Sequence, residues 1–163
     1  MANAELPYDT SINNSTREST TLAIALDPTA SPLVYVAPPA LNNIGGWKPT
    51  TTATRTPLFT QSGTARDQVT TRVAGAKQTF QTTAPAGNAT IQAMMNKALG
   101  IGDYAGGAKG GRSVMVRYTA NDGLEWQGQG VLVYDGEQGD TPEATRMYAF
   151  GIEWQTFIPV YPS

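Results

Sequence analysis

The chain contains neither cysteine nor histidine. The first absence excludes a disulfide framework, a thiolate metal site and a cysteine nucleophile. The second removes the commonest general base and the commonest transition-metal ligand, so a Ser–His–Asp triad and an HExxH zinc site are both excluded. No run of about 18 apolar residues occurs, so no helix is expected to span a membrane and no membrane partner is expected. Residues 1–21 are polar and lack a basic stretch followed by an apolar core, which is not the pattern of a secretory signal. The chain therefore reads as one made in a cytoplasm. Charge is scarce too, at 15% of residues against roughly 25% in ordinary soluble domains. Thr, Gln, Ala and Gly fill the difference. That surface suits a subunit covered by copies of itself, and it also suits a Thr-rich β domain that is merely sparsely charged.

What charge there is falls in blocks. Residues 1–47 carry four acids and one base, residues 48–117 nine bases and two acids, and residues 118–163 seven acids and one base, within a formal net of −2. The blocks either interleave and cancel inside one domain, or form basic and acidic surfaces that meet on neighbouring copies. Complementary patches of the second kind register head-to-tail contacts, which close into rings or propagate as filaments.

The length of 163 residues suits one domain able to bury a core of its own. Its organisation reads as an extended polar arm over residues 1–21, either unstructured or laid on a neighbour, followed by a single domain over 22–163. Short strands are expected at 22–26 and 33–37, the latter stopped by Pro38 and Pro39. Residues 50–60 are Thr-rich and favour extended backbone, with Pro57 arguing for a sheet edge or a break. Residues 67–73 and 77–83 flank Ala74, Gly75 and Ala76 as a hairpin, or as one long strand bent at Gly75 by a bulge. A helix follows at about 89–99. Asn88 or Thr90 caps it, Ile91, Met94, Met95, Ala98 and Leu99 share one face, and Gly100 ends it.

Residues 100–111 hold six glycines and read as a long flexible connection, and residues 135–142 as an acidic loop. Between and beyond them run three segments with a period of two, 112–119, 124–134 and 146–158. Val114, Val116 and Tyr118 share a face of the first. Leu124, Trp126, Leu132 and Tyr134 share a face of the second, and Tyr148, Phe150, Ile152 and Trp154 a face of the third. Such alternation buries one face of each strand and presents the other to something polar. The fold class is therefore mainly β, a sandwich or small barrel with one flanking helix.

Chemical motifs are weak. Gly100, Gly102 and Gly106 miss the dinucleotide fingerprint and follow a helix rather than a strand. Residues 106–112 lack the Gly-Lys-Ser/Thr ending of a phosphate loop. Residues 135–140 lack EF-hand spacing, so an acidic turn is the better reading than a calcium site. Glu125 and Glu153 are the one conceivable glycosidase pair, and solvated strand carboxylates are much the commoner case. Trp126 and Trp154 share a face with large apolar residues, which favours core packing over a sugar platform. No enzyme activity and no cofactor or metal are expected.

The order of these parts carries a resemblance. An extended Thr/Val-rich segment ends in the strand 77–83. A short helix and a Gly-rich loop follow, then Val114-Met-Val-Arg-Tyr118. Next come Gly123-Leu-Glu-Trp126-Gln-Gly128-Gln-Gly130-Val-Leu-Val133, an acidic turn and a last strand ending Phe150-Gly151-Ile-Glu-Trp154. From Gln68 to the C-terminus this resembles the major tail tube proteins of long-tailed, non-contractile bacteriophages.

The resemblance implies that six copies close into a ring by joining their inner sheets into a barrel around a channel, that rings stack, and that long loops and arms reach the next ring. It implies a virion tail component assembled in the host cytoplasm. Its partners would be further copies of itself, a tape-measure protein, and tail-terminator and tail-tip proteins. DNA would pass through without sequence-specific binding. Similar tubes have a polar, predominantly acidic lumen, since a basic wall would hold the phosphate backbone. Glu125, Gln127, Gln129 and Glu153 are the lumen candidates, the alternative being that they lie on the outer surface. Gly106, Lys109, Arg112, Asp135, Glu137 and Asp140 are candidates for inter-subunit loops. Other readings are a contractile-tail inner tube, a capsid decoration or head–tail joining protein, or a carbohydrate-binding adhesin exposing Trp47, Trp126 or Trp154.

Overall fold

A computed structural model describes residues 20–59, 63, 65–120, 122–139 and 146–163. The strands are β1 (Thr21–Ala25), β2 (Tyr35–Val36), β3 (Leu41–Ile44), β4 (Lys48–Phe59), β5 (Ala65–Thr82), β6 (Ser113–Thr119), β7 (Glu125–Gln138) and β8 (Met147–Val160). One helix, α1 (Ala89–Leu99), and a run of 3-10 turns over Gly102–Gly110 separate β5 from β6. All eight strands belong to one antiparallel sheet ordered β2-β1-β6-β7-β8-β5-β3, with β4 also pairing β5. The sheet curls as a half-barrel, so the mainly-β expectation with one flanking helix holds.

Register assigns every strand the same two faces. Tyr118 pairs Leu22 on β1 and Trp126 on β7, Leu132 pairs Ile152, and Phe150 pairs both Tyr134 and Phe80. Cross-strand partners lie on one side of a sheet, so these residues line a common face. That face is the core. Leu22, Ile24, Phe80, Val114, Val116, Leu132, Phe150 and Ile152 are buried in it with Ile91, Met94 and Ala98 of α1. Two aromatic groups fill the layer. Phe80 stacks on Phe150 with centroids 5.5 Å apart, and Trp47 lies on Trp126 at 3.8 Å with the rings 7° from parallel.

The N-terminus of α1 is fixed by Asn88, whose Oδ1 accepts from the Thr90 and Ile91 amides at 2.9 and 3.3 Å. Gly100 ends the helix at φ 66°, the left-handed geometry a helix stop favours. Leu99 departs from its expected place, being 55% exposed. It lies one 100° step round the helix from Ala98, off the buried stripe of Ile91, Met94 and Ala98. The fully buried side chain near that end is Lys97.

Three local expectations are settled or revised. Residues 67–82 lie in one long strand, β5, with a register shift that leaves Ala74 unpaired, next to Gly75 where the bulge was expected. The connection at 100–111, expected as a long flexible segment, is folded into 3-10 turns over Gly102–Gly110. The ammonium of Lys97 donates to the Lys109 carbonyl at 2.8 Å, which ties the far end of the segment to the helix. The acidic loop expected at 135–142 starts later. β7 runs on to Gln138, because β8 supplies partners up to Met147, and a second register shift accommodates Asp135.

Candidate functional site

The second face of the sheet is the polar one, and register brings to it all four lumen candidates. Glu125 pairs Thr119, Gln127 pairs Arg117 and Gln129 pairs Met115. Across β8, Gln129 pairs Thr156 and Val131 pairs Glu153. On this face Gln127 Nε2 donates to Glu125 Oε2 at 3.0 Å, and the Gln129 amide donates to Thr156 Oγ1 at 3.2 Å. Thr79, Gln81 and Lys77 of β5 continue it as the partners of Gly151, Ala149 and Glu153.

The bases of the face escaped the sequence reading. Lys77 lies between Lys48 on β4 and Glu153 on β8. Arg117 faces Ala23 on β1 and Gln127 on β7. Its guanidinium carbon sits 4.4 Å from the ring centroid of Tyr35 on β2. Strand parity alone marked Arg117 as opposite to Val116 and Tyr118. Its partner Tyr35 lies some 80 residues away in sequence, with no local signal. Glu125, Asp135 and Glu153 are thus balanced by Lys48, Lys77 and Arg117. The face is polar and close to neutral, not predominantly acidic.

Glu125 and Glu153 share the face but not a site. Glu153 sits opposite Val131, six residues along β7 from Glu125, which is roughly 20 Å at about 3.3 Å per residue. A glycosidase pair needs about 5–10 Å, so this reading fails on distance. Among the described residues no group of three or more acidic side chains is placed to hold a metal ion.

The loop candidates divide. Gly106 and Lys109 lie in the turns between α1 and β6, and both are exposed. Arg112 is exposed just before β6, its carbonyl accepting from the Leu132 amide at 3.1 Å. Asp135 and Glu137 are strand residues of β7, not loop residues. Asp135 lines a hollow of about 160 Å³ with Lys77, Val133, Gly151 and Glu153, and Glu137 forms an ion pair with Arg146. Asp140 lies outside the described residues, as do residues 1–19 of the expected arm.

A second feature is the ribbon made by the outer parts of β4 and β5. β8 pairs β5 only from Ala76 to Thr82, so β4 and β5 continue alone, from Thr51↔Val73 to Phe59↔Ala65. Residues 51–58 and 67–74 are exposed. One side of this ribbon, continuous with the core face, carries Ala53, Arg55, Pro57, Val69 and Val73. The other side carries Thr52, Thr54, Thr56, Gln68, Thr70 and Arg72. Val69 and Val73 are 53% and 49% exposed. An isolated two-stranded ribbon is marginal in water. Where the ribbon departs, residues 155–160 of β8 have β7 on one side only. Ile158, in that stretch, is 67% exposed.

No protein-family model and no curated protein matches the sequence. Solved structures match the fold. The chain is similar to the SPP1 tail tube, with TM-score 0.51 and 10% identity over 90% of this chain and 79% of that one. It is equally similar to the sheath/tube terminator of PVC, an extracellular contractile injection system, with TM-score 0.51 and 10% identity over 96% and 99% of the two chains. At that identity the likeness is one of fold. The chain therefore has the architecture found in tail tubes and tube terminators.

Proposed function

We propose that this chain is a structural subunit of a phage tail tube, assembling into stacked rings that form a conduit for DNA. The observation that carries the reading is a tail-tube fold whose β4–β5 ribbon is exposed on both sides in the single chain. Such a ribbon, with Val69 and Val73 along one side, gains stability only when a second copy covers it. The sheet also has the two unlike faces that a ring subunit needs, one closed by α1 and one polar.

In this reading rings are hexameric. The polar face bearing Glu125, Gln127, Gln129 and Glu153 lines the channel, and the unpaired edge of β8 joins the sheet of the next subunit. The turns at Gly106 and Lys109, Arg112, and the β7 end at Asp135 and Glu137 meet neighbouring copies, as does Asp140. Partners are further copies, a tape-measure protein and terminator or tip proteins, in a virion tail assembled in the host cytoplasm. The role is mechanical, without catalysis or cofactor. The equal likeness to a PVC sheath/tube terminator supports a second reading, the tube of a contractile system, in which the outer wall binds a sheath.

Negative-stain electron microscopy of the purified chain over a concentration series tests the proposal. Rings or hollow tubes of uniform width are expected. Monodisperse small particles at every concentration, also in the presence of a preformed tail tip, count against it.

A further inference from the structure

A hollow of about 250 Å³ lies where the connection from β1 to β2 meets the turns before β6. Leu26, Val34, Val36 and Tyr104 give it apolar walls, and Asp27 and Lys109 add one charge of each sign. Val34 is 67% exposed. The two connections are held together rather than loosely apposed. A Cβ at Gly110 would lie 2.7 Å from Pro28 Cγ, and the Lys97 ammonium donates to the Lys109 carbonyl at 2.8 Å.

Tyr161 stands at the opposite end of the sheet. Thr21, Thr119, Glu125 and Val160 pair in one row across β1, β6, β7 and β8, so Tyr161 emerges at the end where β1 begins. The hollow starts at Leu26, just past the end of β1. By strand parity, Leu26 follows Leu22 and Ile24 on the core side, and Tyr161 follows Pro159, the partner of Trp126, on the same side. Tyr161 is 74% exposed, the most exposed large apolar side chain among the described residues. Its neighbour Pro162 packs on the turn between β6 and β7, 3.1 Å from the place of a Gly123 Cβ. Asp122 of that turn is exposed.

We propose that Tyr161 of one copy docks in this hollow on a copy in the next ring, with Asp122 set against Lys109. The inference deepens the reading of the chain as a stacked-ring subunit and rests on it. A plug and a socket at opposite ends of one subunit make a heterologous contact, which propagates along an axis instead of closing as a dimer. An aromatic body with a polar tip suits the hollow. Leu26, Val34 and Val36 cover the ring, and the phenol hydroxyl donates to the Asp27 carboxylate. The acid beside the plug and the base beside the socket fix the polarity of stacking.

The test is a disulfide between copies, in a chain with no cysteine of its own. Within one copy the two sites are roughly 17 Å apart along the strands, at about 3.3 Å per residue from Thr21 to Leu26. A disulfide spans no more than about 7 Å between Cα atoms. Oxidised tubes of the Val34→Cys, Tyr161→Cys chain are expected to give a ladder of dimers, trimers and larger species on a non-reducing gel. Reductant should collapse the ladder, and Tyr161→Cys alone should stay monomeric. Independently, Asp122→Lys and Lys109→Glu should each lower the yield of sedimented tubes about tenfold, and their combination should restore it.

Tubes of the double-cysteine chain that stay monomeric on the gel overturn the inference and leave the stacked-ring reading standing. Dimers from Tyr161→Cys alone do the same. Where the double-cysteine chain fails to assemble, the charge exchange decides, and a combination that restores nothing overturns the contact. A native chain that forms no tubes removes the stacked-ring reading and the inference with it.

Discussion

The ammonium nitrogen of Lys97 lies 2.8 Å from the carbonyl oxygen of Lys109, twelve residues on, and donates a hydrogen bond to it. The same group lies 4.6 Å from the Tyr104 ring centroid. Helix α1 thus closes the turns that follow it with one fully buried side chain.

That burial makes a pH prediction. Desolvation lowers the Lys97 pKa from 10.5 to about 8, with the Asp27 carboxylate opposing the shift. Between those values the unfolded chain holds more protons than the folded one, so this group's contribution to stability rises with pH from about 8 to about 10.5 and is level below that. The melting temperature of the native chain minus that of Lys97→Met should climb across this window. A flat difference would show that the amine does not titrate there.

Trp47 precedes β4 and stacks on Trp126, with Phe157 edge-on to both at 5.0 and 6.1 Å. Trp47→Ala removes a partly buried ring from three aromatic contacts. A loss of about 3 kcal/mol is expected, at the lower end for such truncations because Trp47 is not fully enclosed. Urea denaturation followed by far-UV circular dichroism measures it.

Gly128 is required by close approach. A Cβ there would lie 1.8 Å from the Thr156 carbonyl oxygen, beside the register shift between Gln129 and Gly130. Gly128→Ala should prevent β7 and β8 from pairing and yield little folded protein. Gly87→Ala, where a Cβ meets nothing within 4 Å, should express and melt as the native chain does.

The ribbon and the β7 end carry opposite charge at opposite ends of the sheet. Ala76 pairs Trp154 where the ribbon leaves, and Glu137 pairs Tyr148 at the far end. Reversing Arg55 and Arg72 to Glu should abolish tube formation while leaving the monomer's melting temperature within about 2 °C, since both side chains are exposed. Salt should weaken native assembly in turbidity or electron microscopy, through screening of these contacts. Tubes of normal yield from the reversed chain would remove the ribbon from the interface.

How far the sequence reached follows from the range of each interaction. Alternation is a property of neighbouring residues, so it sorted Val114, Val116 and Tyr118 from Ser113, Met115 and Arg117 without knowledge of any partner strand. It likewise grouped Glu125, Gln127 and Gln129. Capping is equally local, and Asn88 and Gly100 bounded α1 as expected. Pairing over long separations was not legible. It decided that 67–82 belongs to one strand, that β7 runs through Asp135 to Gln138, and that β4 and β5 leave the sheet as a ribbon.

By itself, then, the sequence determined the strand faces, the helix and the absence of thiol or imidazole chemistry, all of which depend on residue type and on a period of two or 3.6. Only the tertiary structure decided that Arg117 meets Tyr35, that Lys77 stands between Lys48 and Glu153, and that Lys97 is buried at Lys109. Each of these joins segments whose approach is selected by the packing of the whole sheet, and that selection leaves no periodic trace along the chain.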